Sequence, residues 1–497
     1  MELLLLILLG IITYFIVQRS VASITRTPVW LLWLVMMTPA LVWSGWNQLY
    51  EDAPMPPALV FGPFVICLPL YWFLIQWGRR DSTPPATQGT ETTPPALTPK
   101  PTVPVASEES ALRPISKQEE TDLRNCFPWG VYYLQNVEYR PQAVLCRGKL
   151  RTSPEAAYQT VRQNIEAEFG DRFFVIFQES LNGTPFFALV PNTQTQAKVG
   201  TESEPVSRPI LALGLLLTTL LTTTMGGALI AGLTEKELNP STLVKGFPYA
   251  LALIAILSVY ELGHYWVARL YKMRITLPYF IPLPPMQFFP LGTIGAFIQM
   301  RSPVPHRKAL FDVGITGPLV GLIVTLPILI WGLIHSRVVP ISDASGLLNF
   351  ESLNPRFSFL LTLLSKLALG NELTPTMAIN LHPVAVAGYV GLIAIALKLM
   401  PVGQLDGGHI VHAMFGQRTG ATIGQITRLL VLVLALQESD LLTLAIILLF
   451  LPVADEPALN DVSELDNWRD LVGFLALLIL VSIILPPPGT LTGLLNV

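Results

Sequence analysis

The sequence predicts an all-α, polytopic membrane protein with a small α+β soluble domain inserted between its hydrophobic segments. Three observations predict it. Hydrophobic residues fill 51% of the 497 positions and only 13% are charged, against roughly 25% charged in an ordinary soluble chain. Mean hydropathy is +0.53, and the apolar residues come in long uncharged runs, as bilayer-spanning helices require. Between those runs lies one polar stretch patterned like a globular domain. The net charge of −3 excludes a strongly basic, nucleic-acid-binding surface.

The first apolar run, residues 3–17, is short but lacks a small-residue cleavage pattern, and further runs follow. It reads as a retained anchor rather than a signal peptide. Runs at 28–43 and 58–77 complete an N-terminal anchor region, residues 1–80. Residues 81–113 are rich in Pro and Thr, with the pairs Pro84-Pro85 and Pro94-Pro95. Such a stretch buries no core and serves as a semi-rigid, solvated linker.

Residues 114–205 form the expected soluble α+β domain. Strands are predicted at 131–137 and 143–150. A helix follows with Ser153 as N-cap, Pro154 in its first turn, apolar Ala157, Val161 and Ile165, and Gly170 at its C-cap. Two more strands, 173–178 and 185–190, flank the turn pair Asn182-Gly183. The domain carries no catalytic constellation, so binding or regulation is its expected role.

Residues 206–497 return to the membrane. Spans are predicted at 210–230, 247–270, 309–334, 377–399 and 471–485, with 423–436 and 441–451 as one broken helix or two. The shorter run 357–369 contains Lys366 and reads as interfacial or re-entrant. Arg19 and Arg26, Arg79 and Arg80, and Arg269, Lys272 and Arg274 follow alternate runs, while Glu51 and Asp52 occupy an intervening loop. The positive-inside rule makes the basic ends cytoplasmic and places the soluble domain there too, which in a plastid is the stroma. Three cysteines, Cys67, Cys126 and Cys146, cannot all pair with one another and show no metal-ligand spacing. A reduced compartment agrees with that.

The chemistry concentrates in Tyr260-Glu261-Leu262-Gly263-His264, inside the 247–270 run. Ionisable residues within a bilayer are costly, and their default reading is functional. The structural alternative is a self-satisfying Glu–His pair, or a helix end reaching the interface near Arg269. The segment is similar to the zinc pattern His-Glu-x-x-His, in which two His at i and i+4 share one helical face and the Glu is the general base. Here Tyr260 stands in place of the first His.

Further stretches follow in order: Leu277-Pro278-Tyr279-Phe280-Ile281-Pro282; Leu291-Gly292-Thr293-Ile294-Gly295-Ala296-Phe297; Lys308 to Pro318 with Asp312, Gly314 and Gly317; and Met400-Pro401-Val402-Gly403-Gln404-Leu405-Asp406-Gly407-Gly408-His409. Together they resemble the site-2 protease family of intramembrane zinc metalloproteases. The nearest likeness is to its cyanobacterial and plastid branch, which includes the plant gravitropism-deficient, yellow-green proteins. The resemblance is strong over residues 247–416 and loose over the other runs.

The resemblance implies a site-2 protease-like core and a role for each motif residue. Glu261 takes the catalytic position. His264 and Asp406 take two metal positions, Asp406 as the third zinc ligand, and Tyr260 stands at the first. Zn2+ is the implied cofactor: three protein ligands and an open position would activate a water, with a carboxylate to relay its proton. Pro401, Gly407 and Gly408 break the helix, and irregular backbone at that depth belongs in a cavity. Gly292 and Gly295 mark a re-entrant strand or loop whose edge suits an unwound substrate helix.

Two positions depart from the family. A phenol must lose a proton of pKa about 10 before it ligates, and its oxygen lies farther from Cα than an imidazole nitrogen. Lys398 replaces an Asn that serves substrate or the developing oxyanion. A cation there repels a metal and cannot accept a hydrogen bond. His409 and His412, three and six residues after Asp406, are candidate rescue ligands, and His382 is a more distant one. His306 and His335 read as ordinary loop histidines. Asp312 either braces the cavity or sits as an N-terminal carboxylate favoured by the helix dipole. Gly314, Gly317 and Gly321 permit close helix packing. Trp43, Trp46, Trp72 and Trp77 read as interfacial anchors, and Glu438 and Asp440 as a solvated turn.

The expected function is that of a site-2-protease homologue handling transmembrane segments of other membrane proteins, weakly active or inactive (a pseudo-protease) because Tyr260 replaces the first zinc His. Its expected partners are client helices and an active paralogous protease. The alternative is an active zinc metalloendopeptidase performing regulated intramembrane proteolysis. A transporter is a third reading, suggested by broken helices and intramembrane charge, but no inverted repeat is visible. The expected location is a cyanobacterial or plastid membrane.

Overall fold

The computed structural model describes residues 28–49, 117–140, 143–180, 182–192, 208–234, 237–285, 290–342, 349–436 and 441–490, with a few single positions besides. The expected anchor at 3–17, the 58–77 run, the linker at 81–113 and the Glu438–Asp440 turn lie essentially outside the described residues. The chain divides into two compact units, Met1–Pro104 and Val105–Val497. In the first, α1 (Val29–Leu49) continues through Pro39. Its buried Leu32 and Val35 pack with Leu74.

The second unit opens with α2 (Lys117–Asn125), a charged helix with no apolar stripe to reveal it in the sequence. Then come β1 (Tyr132–Arg140), β2 (Ala143–Leu150), α3 (Pro154–Phe169), β3 (Phe173–Glu179) and β4 (Pro185–Pro191). The strands form one antiparallel sheet in the order β1-β2-β4-β3. Helix α3 buries Ala157, Tyr158, Val161 and Ile165, the i, i+4, i+8 stripe that its sequence spaces on one face. Gly170 closes it in a left-handed conformation at φ 59°. Phe177 and Phe187 stack at a centroid distance of 4.2 Å in the centre of this core. Leu459 and Val462, from far along the chain, complete it.

The helices that follow are α4 (Pro209–Ile230), α5 (Phe247–Leu270), α6 (Arg307–Ile334), α7 (Phe359–Leu369), α8 (Pro383–Leu399), α9 (Asp406–Phe415), α10 (Gln417–Ala435), α11 (Leu442–Phe450) and α12 (Asn467–Ile484). Among the described residues five helical segments are long and apolar enough to cross a membrane: Val29–Trp46, Pro209–Ile230, Pro240–Leu270, Arg307–Ile334 and Asn467–Ile484. Helix α8 is shorter. Large apolar side chains such as Leu213, Leu217, Ile323 and Leu478 point outward, as lipid-facing positions do. Helix α6 packs on both α5 and α8, and α4 packs on α5.

Two short hairpins flank the helices: β5 (Tyr279–Pro282) with β6 (Thr293–Phe297), and β7 (Arg337–Pro340) with β8 (Met377–Asn380). The second corrects the span expected at 377–399. Its first four residues form β8, and the helix begins at Pro383, capped by the His382 side chain. Proline lacks an amide hydrogen and suits a first turn rather than a helix interior. Residues 417–450 hold two helices, α10 and α11, rather than one.

Candidate functional site

Helix α5 presents Tyr260, Glu261 and His264 to the interior, with relative exposures of 3%, 1% and 5%. Tyr260 and His264 are four residues apart, and their rings meet edge to face at 5.1 Å. They fit because α6 opposes them with glycine. A Cβ on Gly317 would lie 2.0 Å from His264 Nε2, and one on Gly321 2.6 Å from the Tyr260 ring. The small residues of α6 therefore do permit close packing, specifically of these two side chains.

Asp406 arrives from the other direction, as the first residue of α9. The chain leaves α8 at Leu399 and reverses through the 400–405 turn. Gly407 lies so tightly against that turn that a Cβ would meet the Leu399 carbonyl oxygen at 1.8 Å. The sequence reading was that Pro401 and the glycines interrupt the helix, and the interruption is what delivers Asp406 to α5.

Four of the expected site residues thus converge with Lys398, and their contacts are specific. The Tyr260 hydroxyl donates to Asp406 Oδ2. His264 Nε2 lies 3.5 Å from that same oxygen and makes no hydrogen bond, although buried. His264 Nδ1 is 3.9 Å from Glu261 Oε2. Lys398, near the end of α8, places Nζ 2.5 Å from Glu261 Oε1 and 4.2 Å from the centre of the Tyr260 ring. The Glu261 side chain is 2% exposed and that of Lys398 30%, so the ammonium reaches inward from a more exposed position.

The expected rescue ligands are otherwise engaged. His409 Nδ1 and His412 Nδ1 each lie 2.8 Å from Asp455 Oδ2, and His412 Nε2 lies 2.9 Å from Asp461. His382 caps α8 at the Val384 amide. His306, read as an ordinary loop residue, caps α6 by accepting from the Ala309 amide. His335 stacks on Trp331 at 4.1 Å. Asp312 receives a forked ion pair, with Arg469 Nε and Nη2 each at 2.8 Å, and this ties α6 to α12. The sequence contained no local signal for Asp455, Asp461 or Arg469, which lie beyond the motif region.

Gly292 and Gly295 lie on the β5–β6 hairpin rather than among the ionisable side chains. Thr222 of α4 donates to the Gly292 carbonyl at 2.7 Å, and Tyr249 of α5 to that of Leu291 at 3.1 Å. Strand β6 pairs with β5 on one side, and among the described strands none pairs with its other edge. Ile294 and Phe297 on β6 are exposed.

As a zinc donor set these residues do not fit. Only His264 and Asp406 are ordinary ligands. The third donor is a phenol whose proton is shared with Asp406, and the carboxylate that would act as base is neutralised by an ammonium. Among the described residues no three His, Cys, Asp or Glu side chains form a metal-holding group.

Residues 248–436 match peptidase family M50. That stretch is a peptidase family M50 domain, that of the site-2 proteases. Residues 121–197 match the EGY3 middle domain. The chain is 27% identical over 372 residues to the probable zinc metalloprotease EGY2, chloroplastic, of Arabidopsis thaliana, covering 74% of this chain and 64% of that relative. It is 32% identical over 240 residues to the probable zinc metalloprotease EGY1, chloroplastic, of the same plant, covering 48% and 42% respectively. Against the probable zinc metalloprotease EGY3, chloroplastic, of Oryza sativa subsp. indica it is 23% identical over 387 residues, covering 74% and 64%. The match thus spans less than two thirds of each relative's length. No solved structure matches the chain.

Proposed function

We propose that this M50 protein holds transmembrane segments of other membrane proteins in a site-2-protease scaffold without cutting them. The observation that carries the reading is the pairing of Lys398 with Glu261. A general base must be free to accept a proton from the attacking water. Here the carboxylate is buried, and its charge is committed to an ammonium from the same chain. Tyr260 supports the reading, because its proton occupies the Asp406 oxygen that a metal would need.

What remains of the scaffold suits capture. The free edge of β6 offers backbone groups to an extended client segment, the chemistry of strand addition. Its exposed Ile294 and Phe297 add apolar contact. A client held there, or an active paralogous protease regulated by this chain, is the partner class that the scaffold suits. The relatives named as chloroplastic support a plastid membrane. The alternate basic loops and the free thiols of Cys126 and Cys146 favour the stromal or cytoplasmic side for the soluble domain.

The second reading, an active zinc endopeptidase, has one observation in its favour: the buried His264 Nε2 lacks a hydrogen-bond partner and faces Asp406. Cleavage of co-expressed membrane segments separates the two. The unmodified chain is expected to leave them whole, and Tyr260→His with Lys398→Asn is expected to begin cutting them. Cutting by the unmodified chain, abolished by Glu261→Gln, would establish the second reading instead.

A further inference from the structure

Helix α9 carries Asp406, yet it is not continuous with its neighbours. Gly403 (φ 53°) precedes it and Gly416 (φ 86°) ends it, so its ten residues are a separate body that something must hold. The grip comes from the segment after α11. Asp455 Oδ2 meets Nδ1 of both His409 and His412 at 2.8 Å. Those histidines lie three apart and so share a face of α9. Asp461 meets the other nitrogen of His412 at 2.9 Å and Arg307 at 3.6 Å. Arg307 in turn donates to the His412 carbonyl at 3.4 Å. His412, Asp455, Asp461 and Arg307 are all buried.

The same segment enters the soluble domain. Leu459 and Val462 pack in its core. The Phe177 amide in β3 donates to the Leu459 carbonyl at 2.7 Å, and the Asp461 amide to the Phe177 carbonyl at 2.9 Å. Two further bonds, from the Leu459 and Asn460 amides to the Val304 and Pro305 carbonyls, join it to the entry of α6.

We infer that residues 455–462 are a strap through which the soluble domain sets the position of α9, and with it Asp406. Asp455 and Asp461 are positioning residues: they touch α9, while Leu459 and Val462 between and beside them are held by the soluble core. Anything that alters the packing of that core therefore changes the hold on α9. This does not depend on whether the site cuts, because it concerns where Asp406 is held.

Hydrogen exchange on the full chain in lipid nanodiscs tests it from both ends. Leu459→Ala touches only the soluble-domain end, yet amides of residues 407–415 are expected to exchange about tenfold faster, as partial transmission of a lost core contact implies. Asp455→Asn keeps the side-chain size and leaves the soluble core intact. It is expected to speed exchange of the Phe177 amide, since coupling between two sites is reciprocal. If Leu459→Ala perturbs the soluble domain too broadly, Leu459→Val replaces it with a smaller expected effect of the same direction. Unchanged protection of α9 in the Leu459 variants, or of Phe177 in Asp455→Asn, would overturn the strap.

Discussion

Lys398 Nζ lies 2.5 Å from Glu261 Oε1, and the residues that bear them are 137 positions apart. The contact joins the end of α8 to the middle of α5, where the Glu261 side chain is almost wholly buried. A charge in such a place is tolerable only with a partner. Lys398 therefore supplies the counter-charge that the buried Glu261 carboxylate has in this chain.

That gives the first prediction. Lys398→Met leaves a buried carboxylate unpaired and is expected to destabilise the membrane domain by about 3 kcal/mol, the usual cost of breaking one side of a buried pair. Adding Glu261→Gln is expected to restore most of it. Thermal unfolding in detergent of the two single variants and the double variant measures the coupling.

Tyr260→Phe removes the donor to Asp406 and nothing else. The expected loss is about 1–3 kcal/mol, for leaving a largely buried carboxylate one hydrogen bond short. An unchanged melting temperature would show that Asp406 is satisfied in another way.

Gly317→Ala places a methyl group where His264 Nε2 stands. Overpacking of this kind costs about 1–3 kcal/mol. Gly214→Ala in α4 is the matched control, since nothing lies within 4 Å of its Cβ position. It is expected to be neutral or slightly stabilising, as Ala is the better helix former. Melting temperatures of the two variants check both.

The strap carries a pH signature. Burial alone would depress the His412 imidazole. The hydrogen bonds and charges of Asp455 and Asp461 together outweigh it and lift His412 to about 9. Burial likewise raises Asp455, but the charges and bonds of His409 and His412 outweigh it and hold it at about 2. A raised imidazole contributes stability that is full below its ordinary value and lost as pH rises through the raised one. A lowered carboxylate contributes stability that is full above its ordinary value and lost as pH falls through the lowered one. Stability is therefore expected to be greatest from about pH 4 to 6.5 and to decline toward pH 9. Thermal melts across pH check it, and His412→Asn is expected to flatten the alkaline limb.

The core of the site was legible in the sequence because two kinds of signal coincided. The i, i+4 spacing of Tyr260 and His264 places them on one face without reference to anything distant. The glycine-rich break before Asp406 signals irregular backbone, which a membrane interior admits only at a protein-lined site. The pairing of Lys398 with Glu261 was not legible. Its position in the sequence sets Lys398 against a metal, and only the packing of α8 on α5 shows which carboxylate it meets.

The strap was less legible still. Asp455 and Asp461 sit in a polar loop with no periodicity, and nothing local says that they reach His409 and His412 more than forty positions back. The soluble domain shows the same limit. Its strands and the apolar stripe of α3 follow from alternation and helical spacing, whereas Leu459 and Val462 join its core from outside any local pattern. The start of α8 differs from the expected one for another reason: Met377, Ala378 and Ile379 are apolar, and a short apolar run does not distinguish helix from strand.

We propose that Tyr260 and Lys398 leave the site on α5 and α9 without a catalytic zinc. The most direct measurement is zinc per chain in the full-length protein purified without chelator, beside the Tyr260→His, Lys398→Asn double variant. The account predicts far less than one zinc per unmodified chain and close to one in the double variant. Near-stoichiometric zinc in the unmodified chain, lost on His264→Ala, would contradict it.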